Sequence, residues 1–107
     1  AELLDAIARS PDGEKAAVFV VLGDVLWDLG WMKDAIAAFR RATACAPRAE
    51  LASLGLFHLL FEVGQVDAAF DEMKRFVALR ESQEYRELVK NLIAELSADV
   101  GSRNDAG

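Results

Sequence analysis

The stretch that decides the fold runs from Phe19 to Pro47, FVVLGDVLWDLGWMKDAIAAFRRATACAP. It reads as two helices with a break between them. Apolar residues recur at helical spacing over roughly 14–29 and again over roughly 33–46. Gly30 supplies a permissive backbone at the break, and Pro47 stops the second helix. Lys33 and Asp34 start that helix, and Arg40 and Arg41 lie toward its negative C-terminal pole. A helix, a glycine turn and a second helix of similar length make an antiparallel hairpin.

The residues of this hairpin resemble a tetratricopeptide repeat. Phe19 is followed by Leu22-Gly23, then by Gly30, Ala35, Phe39, Ala42 and Pro47. The family pattern runs W-x2-L-G-x2-Y, then G, A-x3-F, A and P. Phe19 stands where the family has Trp, and Leu26 where it has Tyr. The resemblance gives each position a task. Small Gly23 and Ala35 allow close helix approach, and Phe39 fills the seam. The implied fold is all-α, a short right-handed α-solenoid of about six antiparallel helices.

Adding 34 residues tests for a second repeat. Leu22 maps to Leu56, Leu26 to Leu60, Gly30 to Gly64 and Ala35 to Ala69. Gly23 becomes Phe57, Phe39 becomes Met73, Ala42 becomes Phe76 and Pro47 becomes Glu81. The expected organisation is therefore one clear repeat over 14–47 and a degenerate one over 48–81, with helices near 49–63 and 66–79. Larger residues at the small positions imply a second hairpin that is splayed or packs something extra. From Ser82, residues Tyr85, Leu88, Val89, Leu92, Ile93 and Leu96 form one stripe opposite Glu84, Arg86, Glu87, Lys90, Asn91 and Glu95. That is the pattern of a capping helix over 82–100, which closes the raw end of a repeat stack. Residues 101–107 have nothing to bury and are expected to be a disordered tail. At the other end, Leu3, Leu4, Ile7 and Ala8 share a face of a short helix over 2–9. Ala1 and Ala8 fall in the frame of Ala35 and Ala42, so this segment reads either as the end of a preceding repeat or as a lid. Asp12 is a candidate N-cap for the helix that follows.

Composition narrows the partners. The chain has 107 residues, 53% of them hydrophobic, and a net charge of −6. That is one domain with a modest core, and it lacks the basic footprint of a nucleic-acid binder. No apolar run approaches the ~20 residues of a membrane span. A single cysteine, Cys45, cannot form an internal disulfide, which suits a cytoplasmic setting. The chain begins at Ala1 without a Met, leaving room for a removed upstream segment.

In tetratricopeptide proteins the first helices of successive repeats line a concave groove. Carried onto this frame, the groove residues are Ala17, Val20, Asp24, Trp27 and Asp28, then Leu51, Leu54, His58, Phe61 and Glu62. The resemblance therefore implies an apolar middle with acidic edges. Members of the family that clamp acidic chaperone tails place Lys and Asn where this chain has Val20 and Asp24. Asp24 and Asp28 would each oppose a carboxylate by about 1 kcal/mol in a partly wet groove. The expected ligand is instead an apolar peptide or helix with basic flanks, held by a non-catalytic adaptor or chaperone-like module. Trp27 reads equally as groove or core, Phe61 leans to the core, and Trp31 is expected to pack. Size, repeat number and acidity also resemble the secretion chaperones that keep translocator or needle subunits soluble. A second resemblance, of LLDAIARSPDG and LGDVLWDLG to a short helical module of large bacterial proteins, points to interaction as well.

His58 and Glu62 form an i, i+4 pair, but their spacing matches no strong metal motif. No phosphate loop, nucleophile elbow or paired catalytic carboxylates appear, so neither a cofactor nor catalysis is expected. Asp67, Asp71, Glu72, Lys74 and Arg75 read as a solvated face. The alternative function is structural: a self-assembling domain that forms homo-oligomers or belongs to a longer helical-repeat protein.

Overall fold

The computed structural model describes residues 12–106, and the side-chain surroundings of residues 14–97. The helix expected over 2–9 lies outside the described residues. Within them the chain is all-helical, with no strand: α1 spans Asp12–Asp28, α2 Met32–Cys45, α3 Glu50–Glu62, α4 Val66–Leu79 and α5 Gln83–Ala106. Asp12, the candidate N-cap, is already helical. No basic residue stands in the last turn of α2, so Arg40 and Arg41 sit a turn short of the pole they were expected to occupy.

The two hairpins repeat at an offset of 34 in their turn hydrogen bonds and in the limits of their second helices. α2 and α4 both have 14 residues, starting at Met32 and Val66. At the end of α1 the N–H of Trp31 donates to the Leu26 carbonyl (2.9 Å) and that of Gly30 to Trp27 (2.9 Å). At the end of α3, Gln65 donates to Leu60 (2.8 Å) and Gly64 to Phe61 (3.1 Å). Each is the 6→1 and 5→2 pair of a Schellman turn, which needs a left-handed residue. Gly30 and Gly64 supply it, with φ of 83° and 88°.

Close packing follows from small residues around one ring. Phe39 of α2 is fully buried between two glycines. A Cβ on Gly23 of α1 would stand 2.8 Å from the Phe39 ring, and one on Gly55 of α3 2.5 Å away. The Phe39 ring thus occupies the space both helices leave open. Gly55 escaped the sequence reading because the offset from Gly23 lands on Phe57. α1 packs on α2, α2 on α3, α3 on α4, and α1 also touches α3.

The degenerate second hairpin accommodates its large residues by taking in a ring from α5. Tyr85 is buried with its centroid 5.8 Å from Phe57 and 5.6 Å from Phe76. Below this ring lies a buried polar chain. Ser53 Oγ donates to Glu72 Oε2 at 2.7 Å and lies 2.6 Å from Tyr85 Oη. The single serine proton is committed to the carboxylate, so the tyrosine O–H donates to Ser53. Arg75 completes the chain, its Nε donating to Glu72 Oε1 at 2.8 Å and its Nη1 to the Pro47 carbonyl at 2.9 Å. This corrects the reading of Glu72 and Arg75 as a solvated face: Glu72 is only 8% exposed and Arg75 half-buried. The physical reason is position. Glu72 lies 34 residues after Ala38, which is buried in the inner stripe of α2.

α5 is capped by Ser82, whose Oγ accepts the Tyr85 N–H (3.1 Å) and donates to Glu50 Oε2 (2.7 Å). Its first half covers α3 and α4 through Tyr85, Leu88, Val89 and Leu92, while Ile93 and Leu96 stay 57% and 66% exposed. The cap therefore covers less than the stripe implied. The helix is also continuous through Ala106, where a disordered tail beyond 100 was expected. Gly101 alone is a weak helix breaker, costing about 1 kcal/mol relative to Ala.

Candidate functional site

The groove positions of α1 and α3 come together on one face. Trp27 is half-buried, its ring edge-on to Phe39 with centroids 6.3 Å apart at 90°. Its indole Nε1 donates to Glu62 Oε2 at 2.7 Å, tying the C-terminal turn of α1 to that of α3. Trp27 thus belongs to both environments, with its ring against the core and its polar edge in the groove. Tryptophan tolerates this because its apolar body carries a single N–H donor.

Val20 and Leu54 are half-buried and pack against the core, forming the floor between the helices. Asp24 and Asp28 are exposed on α1, and His58 on α3 with its ring edge against Phe57 at 5.7 Å. Phe61 is 39% exposed, stacked on Phe57 at 5.9 Å and edge-on to Phe70 at 6.4 Å. It leans on the core while one edge faces outward. Ala17 and Leu51 are exposed at the start of the same faces. Trp31, expected to pack, is instead 57% exposed on the hairpin turn.

Beyond Phe61 the surface deepens into a cleft of roughly 490 Å³, lined by Phe61, Val66, Phe70, Leu92, Glu95 and Leu96. Its far wall is α5. The sequence reading stopped the groove at Glu62, so it named Phe61 and missed the other five residues. A further step of 34 would have reached three of them: His58 leads to Leu92, Phe61 to Glu95 and Glu62 to Leu96. Val66 and Phe70 come from the start of α4 and carried no groove signal, since both fit a core stripe.

Charge around the cleft is one-sided. Glu95 lines the cleft, and Asp24, Asp28 and Glu62 are exposed on α1 and α3, as is His58. Such a surface favours a ligand that brings its own cations. Among the described residues, no group of three or more His, Cys, Asp or Glu could hold a metal ion. No helix among them is long and apolar enough to cross a membrane.

The buried tyrosine behind this face has its own electrostatics. Burial raises the Tyr85 phenol from about 10 to about 12, reinforced by the Glu72 carboxylate. Hydrogen bonding to Glu72 likewise raises the Arg75 pKa. These groups hold α5 in place rather than face the cleft. Comparison of the chain with protein-family models, with curated proteins and with solved structures found no match.

Proposed function

We propose that this chain is a short tetratricopeptide-like solenoid whose concave face holds an apolar, basic-flanked peptide or helix of a partner protein. The observations that carry the reading are the Trp27–Glu62 hydrogen bond, which ties the C-terminal turns of α1 and α3, and the apolar cleft lined by Phe61 of that same α3 turn and Leu92. Two features support a solenoid. The limits of α2 and α4, the turn glycines and the turn hydrogen bonds recur at 34 residues, and α1 touches α3 as well as its own hairpin partner. The function is binding rather than catalysis. Val20, Leu54, Phe61, Leu92 and Leu96 supply apolar contact, His58 a polar edge, and Asp24, Asp28, Glu62 and Glu95 the charge that selects cationic flanks. An adaptor or a chaperone for an exposed amphipathic helix uses such a surface.

The test is fluorescence anisotropy with two labelled amphipathic peptides that share one apolar face, one flanked by Lys and Arg and the other by Glu. With two carboxylates each contributing on the order of 1 kcal/mol, the basic-flanked peptide should bind at least about tenfold tighter. Phe61→Asp should abolish that binding while leaving the helical circular dichroism unchanged. Equal affinity for both peptides, or preference for the acidic one, overturns the reading.

A further inference from the structure

One face of α1 carries a line of exposed aliphatic side chains. Leu22 is 45% exposed, Val21 62%, Val25 50% and Leu29 57%, with Val18 half-buried in line with them. Steps of three and four residues make these one stripe on a helix of ~3.6 residues per turn. One repeat later the corresponding residues include Ala52, Leu56 and Leu59 of α3, and those are buried. The α1 stripe therefore has the composition of a core surface. A contiguous apolar patch with a polar rim marks an interaction site, and a permanent homodimer interface resembles a core cut in half. Val20, Asp24 and Trp27 lie off the stripe, so covering it leaves the groove open.

The charges beside the stripe select what fits on it. Glu14 is exposed and Lys15 half-buried. At about 100° per residue the two fall on opposite flanks of the line through Val18 and Val25, and Asp28 falls on the flank of Glu14. Two copies of α1 can meet face to face in two ways. In an antiparallel pair like flanks meet, which sets Glu14 of each copy against Asp28 of the other. In a parallel pair about a two-fold axis opposite flanks meet. Glu14 of each copy then faces Lys15 of the other, while Val18 and Val25 meet their own counterparts near the axis. We propose that the α1 stripe is the interface of a parallel, two-fold symmetric dimer of this chain. Closed two-fold pairs are the commonest form of oligomer. A net charge of −6 weighs against any self-pairing, but physiological salt screens it beyond ~8 Å, whereas the two Glu14–Lys15 pairs act at contact.

The test is sedimentation velocity on the full chain from about 1 to about 100 µM, a range that covers ordinary specific association. At the upper end the chain should sediment at twice its 11.7 kDa mass. Val25→Asp sets two carboxylates near the axis and should leave a monomer with unchanged circular dichroism. Leu22→Ser, a milder change on the same stripe, should weaken the pair without disturbing the fold. Lys15→Glu and Glu14→Lys should each weaken it on the order of tenfold, since each turns two attractive contacts into repulsive ones. An equimolar mixture of those two variants should recover the pair as a heterodimer. A chain that is monomeric throughout the range overturns the proposal, and so does a dimer that survives both Val25→Asp and Leu22→Ser. Tighter pairing by Glu14→Lys, the sign expected of antiparallel helices, also overturns it, as does a mixture no tighter than its components.

Discussion

At the scale of single residues, Trp27 carries two tasks that different substitutions separate. Its ring packs edge-on against Phe39, and its N–H holds Glu62 in the groove. Trp27→Phe keeps an aromatic ring and deletes the donor. It should change the urea unfolding free energy by no more than about 1 kcal/mol, the usual worth of one exposed hydrogen bond. Trp27→Ala removes the ring as well and should cost several times more, together with most of the affinity for a basic-flanked peptide. If both variants lose equal stability, the ring contributes nothing to the core, and the half-buried position is misread. A Trp27→Ala protein that folds normally and binds undiminished would remove Trp27 from the groove.

At the scale of elements, the distance between α1, α2 and α3 is set by one ring and two missing side chains. Gly55 is helical with no positive φ, so what it contributes is space rather than backbone freedom. A Cβ there would stand 2.5 Å from the Phe39 ring, closer than carbon atoms pack. Gly55→Ala should therefore destabilise by ~1–3 kcal/mol through overpacking, although alanine raises intrinsic helix propensity. Phe39→Leu in the same chain should relieve part of that cost, giving a non-additive double-mutant cycle in urea unfolding. Additive effects would mean that the helices shift apart instead of clashing. The turn glycines work differently. Nothing stands near a Cβ at Gly30 or Gly64, and there the positive φ is what selects glycine.

At the scale of the whole molecule, α5 differs from the helices before it. Where α1 and α3 carry Gly23 and Phe57 toward their hairpin partners, α5 carries Asn91, and where α3 carries Leu56 it carries Lys90. Both residues are exposed. The start of α5 is secured by Tyr85 and the Ser53–Glu72–Arg75 chain beneath it. A phenol raised to about 12 in the fold binds its proton more tightly than the unfolded chain does. Its stabilising contribution is complete below about pH 10 and is lost as the pH rises toward 12. The urea midpoint should fall over that window, and Tyr85→Phe, which has no proton to lose, should flatten the decline. A slope identical in the two proteins would show that other groups govern alkaline stability.

Helix periodicity, the two turn glycines and the 34-residue spacing were legible in the sequence because each depends on local chemistry. A helix stripe follows from a repeat of 3.6 residues, and a left-handed turn selects glycine wherever it occurs. The limits of α2, α3 and α4 accordingly fall within a residue of those read from the pattern. What tertiary structure decided was everything that depends on which surfaces meet. Glu72 looked like one more charge in a solvated run until the packing of α3, α4 and α5 enclosed it with Ser53 and Tyr85. Gly55 matched no expected position, since its role is set by a ring sixteen residues earlier on another helix. Leu22 and Leu56 are the same residue in the same frame, yet one is 45% exposed and the other 1%. Burial belongs to the neighbour a face finds, and a sequence pattern identifies the face without naming that neighbour.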